Sequence, residues 1–146
     1  MDTLDVRPIE ARDRHTRIFE HLEQLTTGDT LRLLVDHDPI PLRYQLDATR
    51  PDQFSWEPVE SGPDVWSIDI TSRARVVDAR PVIAAGDEPF EMIMAAAAEL
   101  ADDQVLVVYA PFNPEPLEKV LDERGFDHRA DEIDDGDWRV SFTRRR

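Results

Sequence analysis

The stretch Asp36-His37-Asp38-Pro39-Ile40-Pro41-Leu42 directly follows an apolar run and has the composition of a helix start. Asp38 can accept a hydrogen bond from a free amide of the first turn. Pro39 suits the first helical position, because proline has no N–H to satisfy there. A related stretch occurs once more, as Pro111-Phe112-Asn113-Pro114-Glu115-Pro116-Leu117. The two turns predict that the chain is built from two similar halves.

The segments that flank the two turns repeat in the same order. In each half a short alternating strand ends at proline, an amphipathic helix follows, and a nearly continuous apolar strand leads into the turn. Two further alternating strands close each half. The matched segments are 4–8 with 77–81, 18–25 with 93–100, 31–35 with 105–109, 38–46 with 113–121, and 66–70 with 138–142. This self-similarity predicts two tandem domains, residues 1–72 and 75–146.

Each half is predicted to be an α/β unit, a two-layer α+β sandwich with the order β-α-β-α-β-β. Its four strands form a mixed sheet, and both helices cover one face, because an amphipathic helix must bury its apolar stripe. The helix that connects the first two strands makes these strands parallel, and the connection is right-handed. Their carboxyl ends therefore lie at the same edge of the sheet.

The composition narrows the possible function classes. The chain has 146 residues and no cysteine, which excludes disulfides, thiolate metal sites and cysteine nucleophiles. Its net charge of −15 repels nucleic acid and anionic membranes. No apolar run is long enough to span a bilayer, and the N-terminus does not resemble a signal peptide. We therefore expect a cytoplasmic protein without nucleic-acid or membrane partners.

Arginine is strongly preferred over lysine in this chain. Lys119 is the only lysine, against sixteen arginines. This pattern resembles that of acidic proteins from salt-loving archaea, in which concentrated salt screens the repulsion between surface charges. An acidic protein from a GC-rich genome would show the same preference for arginine, so the sequence leaves both origins open.

A site is predicted at the edge of the first sheet where its first two strands end. Both helices begin at this edge, and their positive N-termini favour an anionic or polar ligand. His15 is expected to begin the first helix and to face inward, while His37 lies at the tip of the second turn, so that the two rings are neighbours. The polar residues predicted at this edge are Arg7, Arg14, His15, Asp36, His37 and Asp38.

The second half provides an internal comparison for this site. Phe90 stands at the position of His15, and Phe112 at the position of His37. Both histidines change together and both become aromatic, which indicates that each pair acts jointly. The first half is thus predicted to carry a polar site where the second has an apolar plug.

Three interpretations of the histidine pair remain open. His15, His37 and Asp36 would suit zinc, copper, iron or nickel, since two histidines with one carboxylate is a known iron arrangement. Alternatively, the histidines with Arg7 and Arg14 would bind a small anionic or polar ligand, or would contact a group of a partner protein. In the third interpretation both rings only pack at the sheet edge, as phenylalanine does in the other half. No catalytic residue is predicted, because no nucleophile with an oriented base is visible.

Several segments of the first half carry a resemblance to a known family. These segments are Leu4-Asp5-Val6-Arg7, Arg14-His15, Ile18-Phe19, Asp36-His37-Asp38-Pro39, Pro41-Leu42, Tyr44, Phe54-Ser55-Trp56 and Gly62-Pro63-Asp64-Val65-Trp66. On these residues the chain resembles the domain-of-unknown-function (DUF) family 2249 over essentially the whole first half, while the second half is similar in outline and departs at both histidines.

The resemblance has implications for fold and function. The family is similar to the TusA-like (SirA-like) sulfur carriers, which share the β-α-β-α-β-β order and place a Cys-Pro pair close to where His15 stands. Because this chain lacks cysteine, sulfur transfer does not follow. Family members often occur with hemerythrin-like or cupin domains and near nitrogen-oxide respiration genes, in bacteria and haloarchaea. This implies an accessory role linked to redox chemistry or metals.

Together, these observations predict a small binding or accessory protein. Its first half would bind a metal, a haem or a small ligand through His15 and His37. The alternative is a ligand-free adaptor that uses the same scaffold to contact another protein. Both alternatives leave the oligomeric state open.

Overall fold

In the computed structural model, which describes residues 1–145, the chain divides into two compact units, Met1–Arg73 and Ala74–Arg146. The strands of the first unit are arranged β1-β2-β4-β3; β1 is parallel to β2, and the other two pairs are antiparallel. The elements of this unit are β1 (Asp2–Asp5), α1 (Ala11–Glu23), β2 (Thr30–Val35), α2 (Ile40–Thr49), β3 (Phe54–Ser61) and β4 (Trp66–Ser72).

The second unit repeats this topology. Its strand order is β5-β6-β8-β7, again with a parallel first pair followed by two antiparallel pairs. Among the described residues, no helix has the length and apolar character needed to cross a membrane. The elements are β5 (Ala74–Asp78), α3 (Arg80–Ala84), α4 (Phe90–Glu99), β6 (Val105–Ala110), α5 (Glu115–Glu123), β7 (Phe126–Asp134) and β8 (Asp137–Arg144).

One face of each sheet carries the main core, and the helices cover that face. Side chains two apart on a strand share a face, as do those three or four apart on a helix, so the apolar pattern selects this packing. Each fully buried aliphatic side chain stabilises the fold by about 1.5–3 kcal/mol. In the first unit the buried residues include Leu31, Leu33 and Val35 from β2, Ile18 and Leu22 from α1, and Leu46 from α2. In the second unit they include Leu106, Val108, Ile93, Ala97 and Leu121. The predicted fold class is thus confirmed for both units.

A short helix distinguishes the second unit from the prediction. The strand predicted over residues 77–81 ends at Asp78, and α3 follows at once over Arg80–Ala84. The Arg80 amide donates to Asp78 Oδ1 at 3.1 Å, which turns the chain out of the sheet. Pro81 then sets the φ angle that a first helical turn requires.

The first strand of each unit ends in the same hydrogen-bonded Asp-x-Arg motif. In the first unit β1 ends at Asp5, and both the amide and the guanidinium of Arg7 donate to the Asp5 carboxylate at 2.7 to 3.0 Å. In the second unit Arg80 binds Asp78 in the same way. The recurrence of Asp-x-Arg in both halves therefore has a structural explanation.

Candidate functional site

A cleft of about 270 Å³ lies in the first unit at the edge where β1 and β2 end. Its apolar lining comes from strand ends and from the sheet-facing sides of α1 and α2, so the fold itself builds the floor. The apolar members include Val6, Ile18, Val35, Pro39 and Leu42, and the polar ones are Arg14, His15, His37, Asp38 and Gln45. His15 and His37 thus line one cleft, although they lie on different elements.

His37 is oriented by its neighbour in the chain. Its Nδ1 lies 2.9 Å from Asp36 Oδ1, and its side chain is 66% exposed. An ionised carboxylate can only accept hydrogen bonds, so this contact assigns the hydrogen of a neutral ring to Nδ1. Nε2 then carries a lone pair and has no partner within residues 1–145. In the neutral ring, the group that His37 offers to a ligand is therefore a hydrogen-bond acceptor.

Arg14 holds the Asp36 carboxylate in place. Its two terminal nitrogens donate to the two carboxylate oxygens at 2.9 and 3.1 Å, a bidentate pair. The Arg14 hydrogen bonds, together with that of His37, lower the pKa of Asp36 to about 2. The guanidinium also donates to the backbone oxygens of Ile9 and Arg7, at 2.8 and 2.9 Å. Most of the Arg14 N–H groups are thus occupied within the protein.

His15 differs from the prediction in position and in burial. It is the fifth residue of α1, which begins at Ala11, and it is exposed instead of facing inward. The buried face of α1 is taken by Ile18 and Leu22, which leaves His15 on the flank of the helix. Its ring packs against that of Phe19, with centroids 4.4 Å apart and the ring planes tilted by 33°. Neither ring nitrogen has a hydrogen-bond partner in the described part of the chain.

The predicted metal trio of His15, His37 and Asp36 is not assembled as a metal centre. Among residues 1–145, no group of three or more histidine, aspartate or glutamate side chains is placed to hold a metal ion. The physical reason lies at Asp36, because both of its oxygens accept from Arg14 and one also contacts His37. Asp36 supports the cleft from behind and is not among the residues that line it.

Two further residues have roles that the sequence left open or missed. Arg7, predicted as a ligand-binding residue, is bound to Asp5 and does not line the cleft. Gln45 lines the cleft and was not predicted to do so. Its position four residues after Pro41, which also lines the cleft, is a helical spacing that would have identified it.

The helix-start interpretation of Asp38 is confirmed with a shift of one residue. α2 begins at Ile40, and the Ile40 amide donates to Asp38 Oδ1 at 3.0 Å. The equivalent residue of the second unit, Asn113, does not start its helix in this way. Asn113 Oδ1 is buried without a hydrogen-bond partner among the described residues, and the Glu115 amide donates to the Asn113 backbone oxygen instead.

The second unit has a cleft at the equivalent edge, with a volume of about 330 Å³. Phe90 and Phe112 line it at the positions of His15 and His37, and they are 39% and 49% exposed. The other apolar lining residues include Ile83, Ile93, Val108, Pro114 and Leu117. The sequence predicted an apolar plug at this edge, and the structure instead has an open apolar cleft there.

The comparisons with known proteins give one positive result. The model of a family described as "Uncharacterized conserved protein (DUF2249)" matches the chain twice, at residues 3–72 and 76–144. The search of curated proteins and the search of solved structures found no match. Each matched segment covers most of one α/β unit. The likeness to TusA-like carriers stays a prediction.

Proposed function

The chain belongs to the DUF2249 family in both of its halves, and on that premise we propose that its first unit is a binding module for a small ligand. The ligand enters the cleft beside His15 and His37. The observation that carries this proposal is the paired exchange at equivalent clefts: two imidazoles line one, and two phenyl rings line the other. A link to redox or nitrogen-oxide metabolism rests on the family resemblance alone.

The cleft suits a ligand with an apolar body and one polar group. Its floor contains Val6, Ile18 and Val35, each at most 5% exposed, which matches the mostly apolar lining of small-molecule sites. The imidazoles of His15 and His37 supply the convergent polar groups at the opening. Burial of the apolar body would provide affinity, while the imidazoles would select the polar group.

The state of His37 defines which polar group is preferred. With Nδ1 directed at Asp36, a neutral His37 offers Nε2 as an acceptor, so the ligand should donate a hydrogen bond. A phenol-type hydroxyl beside an aromatic ring meets both requirements. A small anion is a poorer match, because Asp38 also lines the cleft and most Arg14 N–H groups are occupied.

Phenol and anisole provide a matched pair of probes. They share the aromatic body, and only phenol can donate a hydrogen bond. In ¹H–¹⁵N NMR titrations of the full chain, we expect phenol to shift residues of the first cleft and to bind about 2–10-fold more tightly there than anisole. This range corresponds to about 0.5–1.5 kcal/mol for one hydrogen bond.

The double variant His15→Phe/His37→Phe is the control, since the second unit shows that phenylalanine is compatible with this position of the fold. We expect it to bind phenol and anisole equally. Equal binding of the two probes by the wild-type protein would contradict the proposal. An absence of saturable binding in the first cleft would favour the ligand-free adaptor instead.

A further inference from the structure

The cleft of the second unit has a wall that the first unit lacks. The segment that joins β5 to α4 contains the additional helix α3, from which Ile83 lines the cleft. The same segment places Asp87 and Glu88 on the lining, directly before Phe90. The segment therefore contributes one apolar side chain and two carboxylates to the lining of the cleft.

These carboxylates have no cationic partner in the described part of the chain. Neither Asp87 nor Glu88 forms an ion pair within residues 1–145, and none of the described residues that line the cleft is lysine, arginine or histidine. Glu88 Oε1 accepts the Phe90 amide hydrogen at 3.1 Å, which anchors this side chain at the start of α4. Apart from the two acids, every described residue of the lining is apolar.

We propose that the cleft of the second unit binds a small organic cation with an apolar body, such as an aromatic or branched amine. The apolar body occupies the space between Phe90, Phe112 and Ile93. The ammonium group faces Asp87 and Glu88, which lack a positive partner among residues 1–145. Exposed phenyl faces attract a cation through their quadrupole, so the rings and the acids select the same charge.

The surrounding electrostatics favour the same ligand. The chain carries a net charge of −15, which draws cations towards the surface and disfavours anions. The volume of about 330 Å³ lies at the lower end of the range of small-molecule pockets, which suits a ligand with a single ring. The two clefts would thus have diverged in ligand class: one presents acceptor imidazoles and the other presents acids beside aromatic rings.

Three probes with one phenyl ring and different charges test the proposal: benzylamine, benzyl alcohol and benzoate. In NMR titrations of the full chain at low salt and neutral pH, we expect all shifts from benzylamine to centre on the second cleft. Benzylamine should bind about 2–5-fold more tightly than benzyl alcohol, as a cation–π contact at an exposed site implies. Benzoate should bind most weakly.

The variant Asp87→Asn/Glu88→Gln separates charge from shape. Both side chains are exposed, and glutamine keeps the oxygen that accepts from the Phe90 amide, so the fold is retained. We expect the affinity for benzyl alcohol to be unchanged. The ratio of the benzylamine affinity to the benzyl alcohol affinity should fall to nearly one. The preference should also persist in His15→Phe/His37→Phe, which alters only the first cleft.

Three results would overturn the inference. The first is benzoate binding as tightly as benzylamine. The second is a preference for benzylamine that survives in Asp87→Asn/Glu88→Gln. The third is shifts that centre outside the second cleft. A second variant, Phe90→His/Phe112→His, copies residue types that the first unit already carries and should weaken the binding of both benzylamine and benzyl alcohol.

Discussion

At the residue scale, Asp36 is the centre of the first site, although it does not line the cleft. It accepts hydrogen bonds from Arg14 and from His37, and it thereby links the start of α1 to the turn after β2. The Asp36 carboxylate thus orients the His37 ring and accepts hydrogen bonds from the neighbouring Arg14 guanidinium. The sequence placed these residues at one edge. The sequence did not show that the N–H groups of Arg14 already have acceptors, because two of these acceptors are backbone oxygens that the loop before α1 positions.

The pKa of Asp36 makes a pH-dependent contribution to stability. It is lowered from the usual 3.8 to about 2 in the folded protein, first by Arg14 and then by His37. The ionised carboxylate therefore stabilises the fold above about pH 4, and this contribution is lost as the pH falls from 3.8 towards 2. We expect Asp36→Asn to be less stable than the wild type at neutral pH, with the difference shrinking over this range. Urea unfolding at a series of pH values measures it.

A matched control for this experiment is Asp13→Asn. Asp13 is an exposed residue of the same unit, and its side chain has no hydrogen bond or ion pair within residues 1–145. Its substitution should change stability little, and by a similar amount, across the same pH range. If Asp36→Asn showed no larger pH dependence than Asp13→Asn, the Arg14–Asp36 pair would not contribute as described.

At the element scale, local chemistry defines where the strands and helices begin and end. The Asp-x-Arg hydrogen bonds lie at the end of the first strand of both units, and the Asp38 carboxylate accepts from the first amide of α2. Such contacts involve neighbours in the chain, so a sequence pattern can predict them. The helix α3 was missed because its five residues lack a recognisable apolar period and follow directly from a strand. It is also the element that gives the second cleft its additional wall.

Gly62 at the connection of β3 and β4 is an element-scale requirement. Its φ of +73° lies in the left-handed region, and a Cβ atom there would lie 2.9 Å from the Trp66 ring. We expect Gly62→Ala to destabilise the first unit by about 1–2 kcal/mol for the backbone angle and by about 1–3 kcal/mol more for the steric overlap. Chemical denaturation provides the measurement.

Gly28 separates these two effects in the same unit. Its φ is +90°, but within residues 1–145 no atom beyond its two chain neighbours lies within 4 Å of the position that a Cβ would take, so Gly28→Ala tests the backbone angle alone. Gly62→Ala should therefore be the more destabilising substitution. Equal losses for the two variants would show that the contact with Trp66 is relieved without cost.

At the scale of the whole molecule, repetition and net charge are the dominant features. The two units share strand order and cleft position, and they differ in the residues at equivalent places of the cleft. The predicted domain bounds, residues 1–72 and 75–146, stay a prediction. The charge of −15 belongs to the chain as a whole, and its repulsion opposes the compact state.

The acidic composition predicts that salt stabilises the protein. The screening length falls from about 10 Å at 0.1 M salt to about 3 Å at 1 M, so the repulsion between surface carboxylates weakens. We expect the thermal unfolding midpoint to rise with potassium chloride at neutral pH. Near the isoelectric pH the same salt series should have a much smaller effect. A midpoint that stays constant or falls at neutral pH would argue against the halophilic interpretation.

The sequence by itself determined the tandem repeat, the order of the strands and of every helix except α3, the apolar core faces and the edge that carries His15 and His37. These features depend on periodicity and on contacts between near neighbours, which the order of residues encodes directly. Only the tertiary structure decided that His15 is exposed, that Asp36 is held by Arg14, and that the second edge is an open apolar cleft lined by two acids. Such properties depend on which groups from distant segments come within hydrogen-bond reach. The fold, and not the local pattern, sets those distances.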